Sequence, residues 1–341
     1  MNRELPELAF ELLADAGTAL PAHTLGLLCY GEALGEGCAL PCAQVDLPVL
    51  GAGHTVCEAW RSSALPRAGQ SGALRYREDG ELLFGCLALP EERGTVGALR
   101  EITRSAYAQT FALLDRLGYA HLVRCWNYLA DINGVSGGLE RYRQFNVGRH
   151  EGFELAGRGG VAAVPAACAL GTAGGPLVVA FLASRHAPLA LENPRQVPAY
   201  DYPADYGPRA PTFARATLLA GASGETLFVS GTASIVGHRT MHEGDAAAQT
   251  AETLANLQAL LAVANARSAC GGYALDALAL KVYVRHRADL PAVQAALSQH
   301  TRARAVFLLA DVCRENLLVE IEACAMARGT PAGAAHEGAA N

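Results

Sequence analysis

The chain holds no Cys-x-x-Cys pair, no His-Glu-x-x-His and no Gly-x-x-x-x-Gly-Lys-Ser/Thr. Those absences remove the zinc-ribbon, zincin and P-loop classes. The glycine-rich stretches at 157–160 and 171–175 do not open a helix behind a strand, so neither is a dinucleotide fingerprint. No Ser–His–Asp motif stands out. No basic run exists, and the net charge is −6 with a pI near 5.9, which argues against nucleic acid as a partner. No apolar stretch of membrane-spanning length is free of Gly, Pro and charge. The start, Met-Asn-Arg-Glu-Leu-Pro-Glu-Leu, lacks the basic-then-apolar pattern of a signal peptide, so a cytoplasmic protein with no membrane partner is expected. Cys38 and Cys42 have no second pair to complete a metal site. The ten cysteines read as reduced, buried hydrophobes, and neither metal nor cofactor is expected.

What is present is core-forming material. With 341 residues, 51% hydrophobic and 18% charged, the chain has the size of about two domains. Residues 5–60 read as irregular, with strand-like runs such as Thr24–Tyr30. A strand at 80–89, a helix over 96–117 ended by Gly118, and a strand at 121–129 follow. A helix is expected over 138–149, a turn at 157–160 and a strand at 176–182. The second half repeats the order: strand 224–235, a helix from Asp245 as N-cap to Asn265, strand 277–284, helix 290–299, and strands 305–310 and 317–325. The reading is therefore α+β, as two related domains at 1–150 and 151–327 with a disordered tail over 328–341. Residues 192–215 are polar, aromatic and Pro-rich without periodicity, as functional loops often are.

One stretch organises the rest: Leu317-Leu-Val-Glu-Ile-Glu322. In a strand, Glu320 and Glu322 share one face and Val319 and Ile321 the other. An acid on a buried strand costs several kcal/mol unless it is paired or protonated. The stretch is either a wet edge strand or a site. Glu322 reads as the exposed end of the strand, with a supporting position behind Glu320 as the alternative.

Two family resemblances attach to these residues. Phe228-Val-Ser-Gly-Thr-Ala233, the following helix and strands, and Val319-Glu-Ile-Glu-Ala323 resemble the Rid (YjgF-like) fold over about 212–327. A second resemblance covers nearly the whole chain. Arg124-Cys-Trp-Asn-Tyr-Leu-Ala-Asp-Ile-Asn133, Gly138-Leu-Glu-Arg-Tyr-Arg-Gln-Phe145 with Val147-Gly-Arg149, Glu192-Asn-Pro-Arg-Gln196, Tyr206-Gly-Pro-Arg209 with Phe213-Ala-Arg-Ala216, Ser230-Gly-Thr-Ala-Ser-Ile-Val-Gly-His238, and Asp311-Val-Cys-Arg leading to Glu322 are together similar to the chorismatases. The bifunctional bacterial branch that makes 3- and 4-hydroxybenzoate is the nearest in pattern.

The resemblance implies two fused Rid-like halves, in a monomer whose domains pair as separate protomers would. It implies cleavage of chorismate to pyruvate and a hydroxybenzoate or cyclohexadiene diol. Glu320 falls at the position of the catalytic acid, and burial would raise its pKa toward neutrality as that role requires. Substrate binding carries onto Tyr142, Arg149 and Arg209, arginine being suited to bidentate carboxylate binding. Tyr142 and Arg149 are seven apart and share a face if helical. Tyr206 and Tyr200 are further candidates from the aromatic loop. Cys313, seven residues before Glu320, goes with 3-hydroxybenzoate formation, whereas Ala233 in the Ser-Gly-Thr-Ala loop goes with the hydrolytic branch. The two indicators disagree. His238 and His242 read as loop or capping residues. Two rival functions stay open: a Rid-type imine or enamine hydrolase using the same Glu320, and a non-catalytic sensor of aromatic acids.

Overall fold

The computed structural model describes residues 8–13, 20–32, 39–51, 55–92, 94–160 and 164–329. Five strands come first: β1 (Leu8–Leu13), β2 (Thr24–Gly31), β3 (Cys42–Val45), β4 (Val49–Leu50) and β5 (Thr55–Ser62). Then follow β6 (Arg67–Ser71), β7 (Leu74–Glu78), β8 (Leu82–Leu89), helix α1 (Ala98–Leu117), β9 (His121–Ala130), α2 (Arg141–Leu155), β10 (Ala166–Thr172) and β11 (Leu177–Ser184). The last part holds β12 (Leu189–Leu191), β13 (Ala216–Gly221), β14 (Gly224–Ala233), α3 (Ala246–Arg267), β15 (Ala279–Val284), α4 (Leu290–His300), β16 (Arg304–Leu309) and β17 (Val319–Arg328). The α+β class is the one expected. The expected caps are also present: Asp245 accepts a hydrogen bond from the Ala248 amide, and Gly118 ends α1 at φ 74°.

Three main sheets result. The first has the order β1-β5-β2-β3, the second β10-β9-β11-β8-β7-β6 and the third β12-β13-β14-β17-β15-β16-β4. One expectation changes here. Residues 5–60, read as irregular, supply most of a four-stranded sheet, because their short apolar runs pair with one another. β10 and β11 pair with β9 and β8 and extend the second sheet to Ser184. The expected tail lies almost wholly outside the described residues.

The inner faces of all three sheets meet in one core. Tyr30 and Trp60 come from the first, Trp126 and Tyr128 from the second, Phe228 and Tyr283 from the third. The alternation of strand side chains sends Cys125 and Leu129 outward onto Phe111, Phe145 and Phe153 of α1 and α2. In the same way Val319 and Ile321 of β17 face Leu254, Leu257 and Leu261 of α3. The acidic face of β17 is therefore the inner one. Glu320 and Glu322 are both 3% exposed, so the wet-edge reading of Glu322 is corrected.

The reading of all cysteines as reduced is corrected too. Cys29 and Cys57 face each other across β2 and β5 and are joined by a disulfide, while Cys125, Cys168, Cys270, Cys313 and Cys324 are free. Among the described residues, no helix is long and apolar enough to cross a membrane.

Candidate active site

Glu320 borders a cavity of about 430 Å³ at the seam between the second and third sheets. An inner extension of about 30 Å³ shares Tyr142, Phe213, Gly231, Cys313 and Glu320 with it and runs on to Arg149. Five segments build the walls: α2, the loop before β13, the end of β14, the loop at 313–316, and β17.

The floor depends on a bulge. Pairing of β14 with β17 slips between Val229 and Thr232, which leaves Ser230 and Gly231 out of register. The Ser230 hydroxyl accepts a hydrogen bond from the Ala167 amide at 2.9 Å and so ties the bulge to the second sheet. Gly231 then lies flat against the acid. A Cβ there would stand 1.9 Å from Oε1 of Glu320. Ala233 sits opposite Glu320 in the ladder and also lines the cavity.

Burial, followed by the nearby Glu322 anion, pushes the Glu320 carboxyl up to about 8, against the opposing pull of Arg124. At neutral pH it carries a proton. Cys313 lies beside it, and burial first and Glu320 second push that thiol up to about 12. Cys313 is therefore a thiol and not a thiolate. Its loop is pinned from behind by Arg285, whose guanidinium donates to the carbonyls of Val312, Arg314 and Leu317 and to the side chains of Asn133 and Asp311.

The expected binding residues separate. Tyr142 and Arg149 do share a face of α2 and both reach the inner cavity. Arg149 is 2% exposed, lies over the rings of Tyr107 and Phe153, and leaves Nε and Nη2 without a hydrogen-bond partner. Tyr206 lines the outer cavity, its hydroxyl donating to the His238 carbonyl at 2.6 Å. Arg209 does not reach it; it is exposed on the Pro-flanked turn before β13. Arg215, at the foot of β13, does line the cavity. It is 3% exposed, donates to the Val197 carbonyl and the Tyr202 hydroxyl, and leaves Nε unpartnered at the cavity. Arg314 is a second cation that the sequence did not single out. It stacks on Tyr206 at 4.3 Å with Nη2 free. Both sit inside recognisable motifs, next to Phe213 and Cys313, but adjacency alone does not tell an inward arginine from a surface one. Tyr200 does not line the cavity; it neighbours Glu192, whose carboxyl burial pushes up to about 7. His238 orients Tyr206, and His242 pairs with Glu252 at 3.0 Å in an exposed position, so both keep local roles. Among the described residues no three His, Cys, Asp or Glu side chains converge as metal ligands.

The cavity thus joins one protonated carboxyl to three arginines with unspent donors. It suits an anionic, partly apolar molecule that needs a proton. Comparisons with known proteins agree in kind. Residues 58–183 match the family model for the N-terminal part of FkbO/Hyg5-like chorismatases. A 3-hydroxybenzoate synthase of Streptomyces hygroscopicus is 42% identical over 280 residues, covering 79% of this chain and 81% of that protein. A chorismatase of Streptomyces rapamycinicus is 38% identical over 301 residues, covering 86% and 88%. A chorismatase crystal structure superposes with a TM-score of 0.84 at 32% identity, covering 95% of this chain and all of that one.

Proposed function

The chain belongs to the chorismatase family, and from that premise we propose that it cleaves the enolpyruvyl ether of chorismate, with Glu320 as general acid and 3-hydroxybenzoate and pyruvate as products. The observation that carries this is a carboxyl pushed up to about 8 at the wall of a cavity rich in arginine. Glu320 gives its proton to the methylene carbon of the enol ether, and an oxocarbenium forms at the neighbouring carbon. If water adds there, the hemiketal collapses to pyruvate and a cyclohexadiene diol, and the water proton returns to Glu320. If the neighbouring ring hydroxyl attacks the oxocarbenium in place of water, a cyclic ketal forms and the hydroxyl proton returns to Glu320; loss of a ring C–H proton with cleavage of one ring C–O bond then aromatises the ring, the hemiketal left on the other oxygen collapses, and hydroxybenzoate and pyruvate leave with no net water consumed. Cys313, a neutral thiol beside Glu320, supports the second course, and Ala233 supports the first. Formation of 4-hydroxybenzoate alongside is part of the same question of partition.

Arg149 stays in the binding set, and Arg215 and Arg314 stand in for Arg209 as holders of the two substrate carboxylates, with Tyr142 and Tyr206 beside them. Arg149→Met keeps much of the volume and removes the charge. A lost charged hydrogen bond is worth about 1.5–3 kcal/mol, so KM for chorismate should rise by roughly 10- to 100-fold, in steady-state kinetics, with a smaller change in kcat. An unchanged KM would remove Arg149 from the binding set.

Because one chain supplies both halves of the cavity, the enzyme works as a monomer on this reading. The free thiols of Cys125, Cys168, Cys270, Cys313 and Cys324 support a cytoplasmic setting. The deciding experiment is chromatography of the products formed from chorismate, run beside 2-iminopropionate. Pyruvate from the imine alone would move the assignment to an imine hydrolase. Tight binding of chorismate without product would make the protein a sensor.

A further inference from the structure

Behind the acid, where the three sheets meet, lies a buried set of charges to which the proposed reaction gives no role. Glu322 receives Arg124 of β9 on Oε2, and on Oε1 it receives Lys281 of β15 and the Tyr283 hydroxyl, the last at 3.1 Å. Lys281 also pairs with Glu58 of β5 at 2.7 Å and donates to the Tyr30 hydroxyl at 2.6 Å. The Tyr30 and Tyr128 hydroxyls are 2.8 Å apart, and those of Tyr128 and Tyr283 3.0 Å. Lys281 is the chain's single lysine, in a sequence that otherwise uses arginine for every cation of this kind. All these groups are buried. Such networks are costly to desolvate and are often matched in stability by apolar replacements. Stability alone is therefore a weak reason for this one.

Position supplies a better reason. Glu320 and Glu322 point to the same face of β17, two residues apart. Arginines that grip an anionic substrate also favour ionisation of a carboxyl among them, which would disarm the acid. Glu320 faces Arg215 from the foot of β13, Arg124 from β9, Tyr142 from α2 and Cys313 from its loop. Glu322 faces Lys281 and Tyr283 from β15, Arg124 and Tyr128 from β9, Cys168 from β10, Glu58 from β5 and Tyr30 from β2.

We propose that Glu322 is a positioning residue for the reaction: a carboxylate held ionised by Arg124 and Lys281, whose fixed negative charge keeps Glu320 protonated among the substrate-binding arginines. The inference rests on Glu320 being the acid. Burial opposes the Glu322 charge, but Lys281 and Arg124 hold that carboxyl below the usual range. Glu320, with the Cys313 thiol as its hydrogen-bonding neighbour, is shifted the other way.

The test is the pH profile of kcat in the full-length enzyme. Wild-type activity falls as pH rises through the pKa of Glu320. In Glu322→Gln the alkaline limb should move down by about one pH unit or more, the coupling expected of a carboxylate pair. At about pH 8 the variant should then lose roughly fivefold more activity than at about pH 6. The double variant Glu322→Gln/Lys281→Met removes one charge of each sign and should show the same displacement. A readout independent of turnover is the infrared carboxylic C=O band that disappears in Glu320→Gln; it should titrate at lower pH in both variants. An unmoved limb and band in a folded variant would overturn the proposal. Collapse of both variants would overturn it as well, by assigning the network to the fold. Failure of the wild type to cleave chorismate would instead remove the proposed function, while the band still reports on Glu322.

Discussion

Glu320→Gln should abolish pyruvate release from chorismate while the protein stays folded. General acid catalysis is worth roughly 10²–10⁴ in rate, and here no neighbouring group can substitute, since the Cys313 thiol is pushed up to about 12. The loss should appear in kcat more than in KM, because the amide fills the same space. The same variant should be more stable than wild type above neutrality. The folded-state pKa of Glu320, about 8, lies above its unfolded value. The contribution of its proton to stability is complete below the ordinary carboxylate range. It is lost as pH climbs through about 8, at about 1.4 kcal/mol for each pH unit that separates the folded and unfolded pKa values. Glutamine does not ionise and escapes that loss. Thermal melts at about pH 9 should therefore put the variant above wild type, and at about pH 4 the difference should be gone. Full activity would end the assignment of Glu320, and equal melts at alkaline pH would show that the carboxyl is not held protonated.

Gly231→Ala should disable the enzyme without touching a charged group. The added Cβ would fall 1.9 Å from Oε1 of Glu320 and 3.3 Å from Cβ of Cys168. The Glu320 carboxylate is buried and cannot swing into solvent, so it must turn away from the cavity or force the bulge to open. Displacement of an acid by about 1 Å can cost on the order of 10²-fold in rate. We expect that loss in kcat, with KM for chorismate within a few fold, because Arg149 and Arg215 sit on other elements. Wild-type kcat in a folded Gly231→Ala would mean that the acid tolerates a new position. The same crowding bears on Ala233, which stands opposite Glu320 in the ladder and whose methyl helps shape the cavity where a nucleophile must approach.

Sequence reasoning reached the face-sharing of Glu320 with Glu322, the helical pairing of Tyr142 with Arg149, and the order of helices and strands in both halves. Those follow from local rules: a period of two in strands, seven residues as two helical turns, caps at Asp245 and Gly118. It placed Glu322 in solvent, because periodicity says which residues share a face but not which face is covered. The first sheet, built from strands between residues 8 and 62, covers it, and that sheet was hidden in short runs that pair only with one another. The resemblance carried binding onto Arg209 and gave Arg215 no role, and the sequence could not tell the two apart for a related reason. Both are arginines near a strand start, and only the path of the Pro-rich loop decides which side chain turns inward.

By itself, then, the sequence determined the family pattern, the α+β class and the face that Glu320 shares with Glu322. Tertiary structure decided the rest: the closure of three sheets on one interior, the bulge that lays Gly231 against Glu320, and which arginines, Arg149, Arg215 and Arg314, keep unspent donors beside the cavity. The physical reason is that a pKa and a binding pocket depend on what stands within a few ångströms. For β17 those neighbours are Arg124, Lys281 and Glu58, which lie on three other strands, the nearest of them almost forty positions away in the chain.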